Sequence, residues 1–256
     1  MKIGHYFVLS FILFHATAFG QEAEPRFVKG IGFSFVKGIP TGAFAETTIN
    51  SQGSGEGSGF AQDGYGAELS YLLMEPSGKS GFTGTISFVS FGYNIQPELE
   101  RMKQQGILYQ WYAETSNWNT YSFRLGGYAN ILNTAKFKFG PHIQLGGMLV
   151  GVQSKAFVPY GNGMDSLRVD HATKTSLGFT FLLGVQLQWQ LSQVLMVSLT
   201  GDYIDSKPTI DYSVSLVDDG VVTAVNNNSY SQPISAYLIN VGLVYLLRKK
   251  PGGSRD

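Results

Sequence analysis

Residues Thr175–Leu191 read T-S-L-G-F-T-F-L-L-G-V-Q-L-Q-W-Q-L. Leu177, Phe179, Phe181, Leu183, Val185, Leu187, Trp189 and Leu191 share one parity, while Ser176, Gly178, Thr180, Gly184, Gln186, Gln188 and Gln190 dominate the other. A period of two is the signature of a β-strand with one apolar and one polar face. The pattern outlasts the ordinary strand of roughly 5–6 residues. Its polar face consists of Gly, Ser, Thr and Gln, where a water-facing strand would carry Lys and Glu. The segment therefore reads as a strand built to cross a lipid bilayer.

The whole chain has the matching composition. Its 256 residues include no cysteine, 32 glycines, 14% charged and 14% aromatic residues, and the formal net charge is zero. Charged residues make up about 25% of soluble domains, so groups that normally cover a wetted surface are scarce. A neutral chain without a basic patch excludes nucleic acid as a partner.

One uninterrupted apolar run lies at the start. Lys2 supplies a positive n-region, Tyr6–Phe14 an apolar core, and Ala18-Phe19-Gly20 a small-x-small site before Gln21, the pattern of a cleaved secretory signal peptide. A transmembrane helix would need about 20 apolar residues, more than this core holds. The expected organisation is a signal peptide over 1–20, a β-barrel over 21–250 and a short tail over 251–256. An exported chain without cysteine has no disulfide framework, so another device must hold it together.

Seven further segments alternate in the same way, at about 27–36, 65–73, 82–93, 118–131, 135–152, 194–204 and 233–247. Short connections near residues 76, 133 and 192 take turns with long ones over about 37–64, 94–117, 153–174 and 205–232. Outer-membrane barrels combine an even strand number with short periplasmic turns and longer extracellular loops. The expected fold is an all-β, eight-stranded, antiparallel up-and-down transmembrane barrel in the outer membrane, closed so that no strand edge is left bare.

A soluble lipocalin-like barrel with an apolar interior is the competing reading. Three features favour lipid on the outside. The apolar parity carries no charge through strands such as 65–73, 177–191 and 195–203, as expected where a mid-bilayer Lys or Arg costs about 2–4 kcal/mol. The opposite parity is small, which suits an eight-stranded lumen. Aromatic residues gather toward strand ends, with Phe27, Tyr71, Phe82, Trp118, Tyr121, Phe137, Trp189, Tyr203, Tyr237 and Tyr245 forming the expected girdles.

With these strands in place, Ile39-Pro40-Thr41-Gly42-Ala43-Phe44, Phe139-Gly140-Pro141 and Val241-Gly242-Leu243-Val244-Tyr245-Leu246-Leu247 give the chain a likeness. It resembles the small porin-like outer-membrane β-barrel proteins of Gram-negative bacteria, especially the Bacteroidota type. The resemblance implies outer-membrane lipid and the barrel assembly machinery as partners. Such barrels often end on an aromatic residue, whereas here Arg248–Asp256 follows the last strand.

Four ionisable residues fall on the inward parity: Glu68, Arg124, His142 and Asp202. Each lies about seven or eight residues from its short turn, a comparable height given a rise of about 3.3 Å per residue. Asn240 and Ser34 reach a similar level. This lumen layer is either a hydrogen-bonded plug that holds the barrel shut or an ion or proton pathway. The expected role is structural or binding, through extracellular loops that could take a ligand or protein; a narrow channel for small or apolar solutes is the alternative.

Enzymatic readings have less support. A lipid-modifying hydrolase would need a Ser and a His at the rim, and His171 with Ser166, Asp170 and Thr173 in the third long loop is the one such grouping. Gly161–Asp165 faintly echoes a calcium loop but lacks the terminal Glu. The chain is therefore expected to be no enzyme and to hold neither metal nor cofactor. Loop one carries the linker-like tract Asn50–Gly59, and loop two a helical stretch at Pro97–Gln105. Loop four has an Asp219-Gly220 hairpin signal. Pro141 cannot donate to a ladder and predicts a bulge or late strand start, and the ambiguous parity at Val89-Ser90-Phe91 predicts another bulge. The strand over Thr175–Leu191, lacking charge, reads as scaffold alone.

Overall fold

The computed structural model describes residues 27–48, 58–104, 110–151, 155–160, 167–173, 175–218 and 221–247. The signal peptide and the tail fall outside these residues, as do most of the loop-one tract and the Gly161–Asp165 turn. Eight long strands form the wall: β1 (Val28–Thr41), β2 (Ala61–Met74), β3 (Ser80–Tyr93), β5 (Trp118–Ala129), β7 (Phe137–Gly151), β10 (Ser176–Gln190), β11 (Leu195–Ser206) and β14 (Ile234–Leu247). Between them lie β4 (Gln110–Thr115), β6 (Leu132–Asn133), β8 (Lys155–Tyr160), β9 (Leu167–Thr173), β12 (Thr209–Asp218) and β13 (Val221–Ser231).

Every wall strand has two antiparallel neighbours. The order β10-β11-β14-β1-β2-β3-β5-β7 closes on itself through the β7–β10 ladder, which runs from Val150 against Ser176 to Phe137 against Trp189. Closure satisfies the backbone donors and acceptors of each edge, the condition for crossing hydrocarbon. The protein is a closed eight-stranded antiparallel barrel.

Parity then sorts the side chains. Phe33, Leu69, Ile86, Phe123, Leu145, Leu183, Val241 and Leu243 are all exposed on the outer face. An apolar surface running round the whole circumference far exceeds the patches tolerated on a wetted monomer and marks the lipid-contacting belt. Aromatic pairs flank it: Phe137 stacks on Trp189 with ring centroids 5.8 Å apart toward the short turns, and Tyr203 meets Tyr237 at 5.6 Å toward the long loops.

Trp118 corrects the expected girdle. It is 1% exposed and points into the lumen, where its indole N–H donates to the Gly59 carbonyl at 2.9 Å. It shares parity with Ser122 and Arg124, so its inward direction follows from strand geometry. Val89 and Phe91 also face inward, and the β2–β3 and β3–β5 registers run through both without a shift. The expected bulge there is absent, and the parity looked ambiguous because the inward row itself turns apolar. The β2–β3 register slips instead between Ala61 and Gly64.

At Pro141 the chain does what its missing N–H demands. The β7–β10 ladder passes it in register with Val185, but the β5–β7 ladder stops at Tyr128 against His142 and resumes as Leu132 against Phe139. Residues 129–131 thus oppose residues 140–141, a one-residue bulge in the ladder beside Pro141.

The long connections are built as well. A one-turn helix, Gly42–Ala45, follows β1, and Gln96–Gln104 forms the helix expected in loop two. Strands β4, β8, β9, β12 and β13 assemble into a separate sheet in the order β13-β12-β9-β8-β4, joining loops two, three and four above the barrel. Loop four is the hairpin expected, with β12 ending at Asp218 and β13 starting at Val221.

Leu183 lies at the middle of β10 on the lipid face, 50% exposed. Replacing it with Lys is expected to cost about 2–4 kcal/mol in reversible denaturant unfolding from lipid vesicles. The same change at exposed Leu132, in the β5–β7 turn, is expected to cost much less.

Candidate functional site in the lumen

The interior has three storeys, and this corrects the expectation of a uniformly small, polar inward face. Toward the long loops, Val36, Phe44, Val89, Phe91, Trp118, Met148, Val150, Leu182, Ile204, Ile210, Ile234 and Leu238 form one buried apolar cluster. Toward the short turns a second cluster gathers Leu72, Met74, Tyr128, Met196, Val244 and Leu246. The polar layer lies between them.

The upper storey is sealed by the segment after β1. Phe44 is fully buried, edge-on to Phe91 at 5.2 Å and to Trp118 at 5.6 Å. The Gly59 N–H donates to the Ala43 carbonyl and the Phe60 N–H to the Glu46 carbonyl, at 2.8 and 3.1 Å, which returns the chain over the mouth. Phe60 sits at φ 51°, the left-handed region that costs a side chain roughly 1–2 kcal/mol. Its burial beside Tyr93 and the bond from the Asn94 N–H to its carbonyl hold it there.

The five residues singled out in sequence meet as two linked groups. Arg124 donates to Glu68 at 2.8 Å across the lumen, from β5 to β2. Its remaining donors reach Gln144 Oε1 at 3.0 Å, Ser87 Oγ at 3.1 Å and Ser122 Oγ. Each guanidinium nitrogen therefore has an acceptor, although the side chain is only 1% exposed. The second group pairs His142 Nε2 with Asp202 Oδ1 at 2.5 Å, from β7 to β11. The other carboxylate oxygen of Asp202 accepts from Asn240 Nδ2 and Thr200 Oγ1, both at 2.8 Å, and Asn240 also donates to Thr200 at 2.7 Å. Ser34, register partner of Glu68, stays at the same height on β1.

His142 and Asp202 lie on strands that do not touch. Strand β10 runs between them, and its residue in register with both is Gly184. A Cβ at Gly184 would collide with Asp202 Oδ1 and lie 2.7 Å from His142 Nε2. The strand read as scaffold alone thus contributes to the site by having no side chain where the His142–Asp202 contact crosses it. Lower down, Gln186 and Gln188 of the same strand are buried, Gln186 donating to Asn130 and Gln188 to Gln186.

Chemically, the layer is one ion pair, Arg124 with Glu68, and one hydrogen-bonded pair, His142 with Asp202, set between two apolar clusters. Among the described residues, Ser87 and Ser122 are hydrogen-bonded to Arg124, and the hydroxyl that meets the second group is that of Thr200, which donates to Asp202. The residues weighed for hydrolysis are placed elsewhere: Asp170 and His171 lie in β9, in register with Ser215 and Val214 of β12, in the projecting sheet. Ser166 lies outside the described residues.

No protein-family model matches the chain, and no curated protein matches it. Solved structures with a similar fold include a major outer membrane protein from Thermus thermophilus, 13% identical with a TM-score of 0.49, covering 85% of this chain and 99% of that one. The outer membrane protein OprG from Pseudomonas aeruginosa is 14% identical with a TM-score of 0.43, over 87% and 97%. The attachment invasion locus protein Ail of Yersinia pestis is 12% identical with a TM-score of 0.40, over 86% and 97%.

Breaking a buried ion pair from one side leaves the other charge uncompensated. Arg124→Ala is expected to destabilise the folded barrel by about 3–5 kcal/mol, seen as a lower temperature for the shift from the folded to the unfolded band on a gel. Gly184→Ala is expected to cost less, about 1–3 kcal/mol for overpacking. Combined with Asp202→Ala its effect should shrink but not vanish, because the nearest obstacle to the new methyl, Asp202 Oδ1, is then gone while the Gly201 carbonyl and His142 remain; full additivity would contradict the geometry.

Proposed function

We propose that the protein is a closed scaffold of the outer membrane that acts through its extracellular sheet and passes nothing through its lumen. The observation that carries this is the stacking of two buried apolar clusters above and below a hydrogen-bonded polar layer in the interior. Phe44 seals the mouth, two hydrogen-bonded groups span the middle, and Leu72, Met74, Met196 and Leu246 close the lower end. An eight-stranded barrel has an interior only just wide enough for side chains, and here Arg124 meets Glu68 and His142 meets Asp202 across it. An ion entering this layer would have to break those pairs in a water-poor space.

The extracellular side has the opposite character. Three long connections place their residues in a sheet of their own, and loops fixed on a rigid frame are where binding commonly resides. Sequence features that match the small outer-membrane barrels support the location, with the N-terminal export signal as the route to it.

Planar bilayer recording tests the closed lumen. Wild type is expected to give no resolved single-channel steps, and a variant carrying Phe44→Gly with Arg124→Ala is expected to give small, noisy ones. Steady conductance through wild type that is abolished by Arg124→Gln would overturn the reading in favour of an ion pathway.

A further inference from the structure

The two ends of the barrel differ in how their charges are matched. At the long-loop end Lys37 is paired with Asp63 at 3.2 Å. At the short-turn end the described residues include four lysines, Lys29, Lys79, Lys136 and Lys138, against one carboxylate, Glu75, which accepts from Ser80 Oγ at 2.9 Å. None of these lysines makes an ion pair among the described residues. Lys138 donates to the Met74 sulfur at 3.0 Å, a weak acceptor that leaves its charge uncompensated. The four also fall on one side. Lys29 lies at the start of β1, Lys79 in the β2–β3 turn, and Lys136 and Lys138 flank Phe137 where β7 begins. Asn130 joins the two turns, its N–H donating to the Lys79 carbonyl and its Nδ2 to the Gly78 carbonyl, at 2.6 and 2.7 Å. The β10–β11 turn, 191–194, carries no charge.

The surroundings of these lysines select their partner. Lys29, Lys79 and Lys136 are exposed, and the exposed side chains of Phe82, Ile131, Leu132 and Phe137 lead from them into the lipid-contacting belt. A partner that meets both features carries a negative headgroup on an apolar tail. A soluble anion would meet the lysines alone, and a zwitterionic phospholipid brings its own cation, which offsets the attraction. Neighbouring strands lie about 4.8 Å apart, so charges spread from β1 to β7 cover about 20 Å, wider than one headgroup. Short turns of an outer-membrane barrel face the periplasm. We propose that this lysine sector gathers anionic phospholipids of the periplasmic leaflet. The ammonium groups meet the phosphates while the lysine stems and the neighbouring aromatic and aliphatic side chains lie along the acyl chains. The other half of the rim, with its uncharged β10–β11 turn, has no such preference. Nothing in this depends on whether the lumen conducts.

Trp189 sits where this contact can be read. It is exposed on the lipid face and stacks on Phe137, and the Gln190 N–H next to it donates to the Lys136 carbonyl at 2.8 Å. Of the other two tryptophans, Trp118 is buried in the lumen and Trp111 is removed by Trp111→Phe. The test places this chain in phosphatidylcholine vesicles in which a minor fraction of the lipid is phosphatidylglycerol or phosphatidylcholine with brominated acyl chains, which quench a tryptophan they touch. At equal fraction, brominated phosphatidylglycerol is expected to be at least about twofold preferred beside Trp189, since each nearby lysine favours an anionic lipid severalfold. Lys79→Gln with Lys136→Gln should bring the preference to parity, Lys79→Arg with Lys136→Arg should keep it, and Lys207→Gln in loop four should leave it unchanged. Salt gives the same reading without a substitution. At about 1 M the screening length falls to about 3 Å, and the wild-type preference should disappear. Parity in wild type at low salt, a preference that survives the glutamines or the salt, or an equal loss with Lys207→Gln would each overturn the proposal.

Discussion

Everything in this molecule depends on the backbone having no water to turn to. Within hydrocarbon an unpaired N–H or C=O costs several kcal/mol, so no strand can keep a free side, and the last partner of the series must return to the first. The β1–β14 ladder is where that return is made, through a register that runs unbroken from Lys29 against Leu247 to Thr41 against Ser235. The break in the β5–β7 ladder obeys the same rule, since it lies beside Pro141, the residue that cannot donate.

Closure in turn dictates the interior. Eight strands enclose a space that side chains must fill, and alternation sends half of every strand into it. The chain fills that space with packing at both ends and paired charge in the middle. Arg124 is tolerable there because each of its nitrogens has an acceptor, and Asp202 because His142, Asn240 and Thr200 all reach it. Buried pairs of this kind add little net stability compared with an apolar filling, but losing one partner is costly. They therefore tie β2 to β5 and β7 to β11 in a single arrangement across the lumen, without help from a disulfide.

Much of this was written in the period of the sequence. An apolar row held for fifteen residues marks a long two-faced strand, its lack of charge favours lipid on the outside, and charges so rare on the inward row that Glu68, Arg124, His142 and Asp202 stood out could be ranked by height from residue counts alone. What periodicity hid was of two kinds. Where the inward row turns apolar, as at Val89, Phe91 and Leu182, parity loses its contrast and hides the upper storey with Trp118. Register between strands is invisible in one sequence, so nothing marked Gly184 as the gap between His142 and Asp202. The glycine in a row otherwise holding Thr180, Gln186 and Gln188 was the one clue. Of the projecting sheet, Asp219-Gly220 marks the β12–β13 hairpin alone, since strands of six and seven residues such as β4, β8 and β9 are too short to show a period.

That sheet also limits how the surface can change over evolutionary time. Loops on a barrel ordinarily vary in length independently, each hanging from its own pair of strands. Here loops two, three and four share one set of ladders, and inserting a single residue into β9 would flip the parity of its pairing with both β8 and β12. Lineages of this protein should therefore diversify these three loops by exchanging side chains within a conserved frame. Insertions and deletions should collect in the Gly- and Ser-rich first loop, which adds no strand to the shared sheet among the described residues.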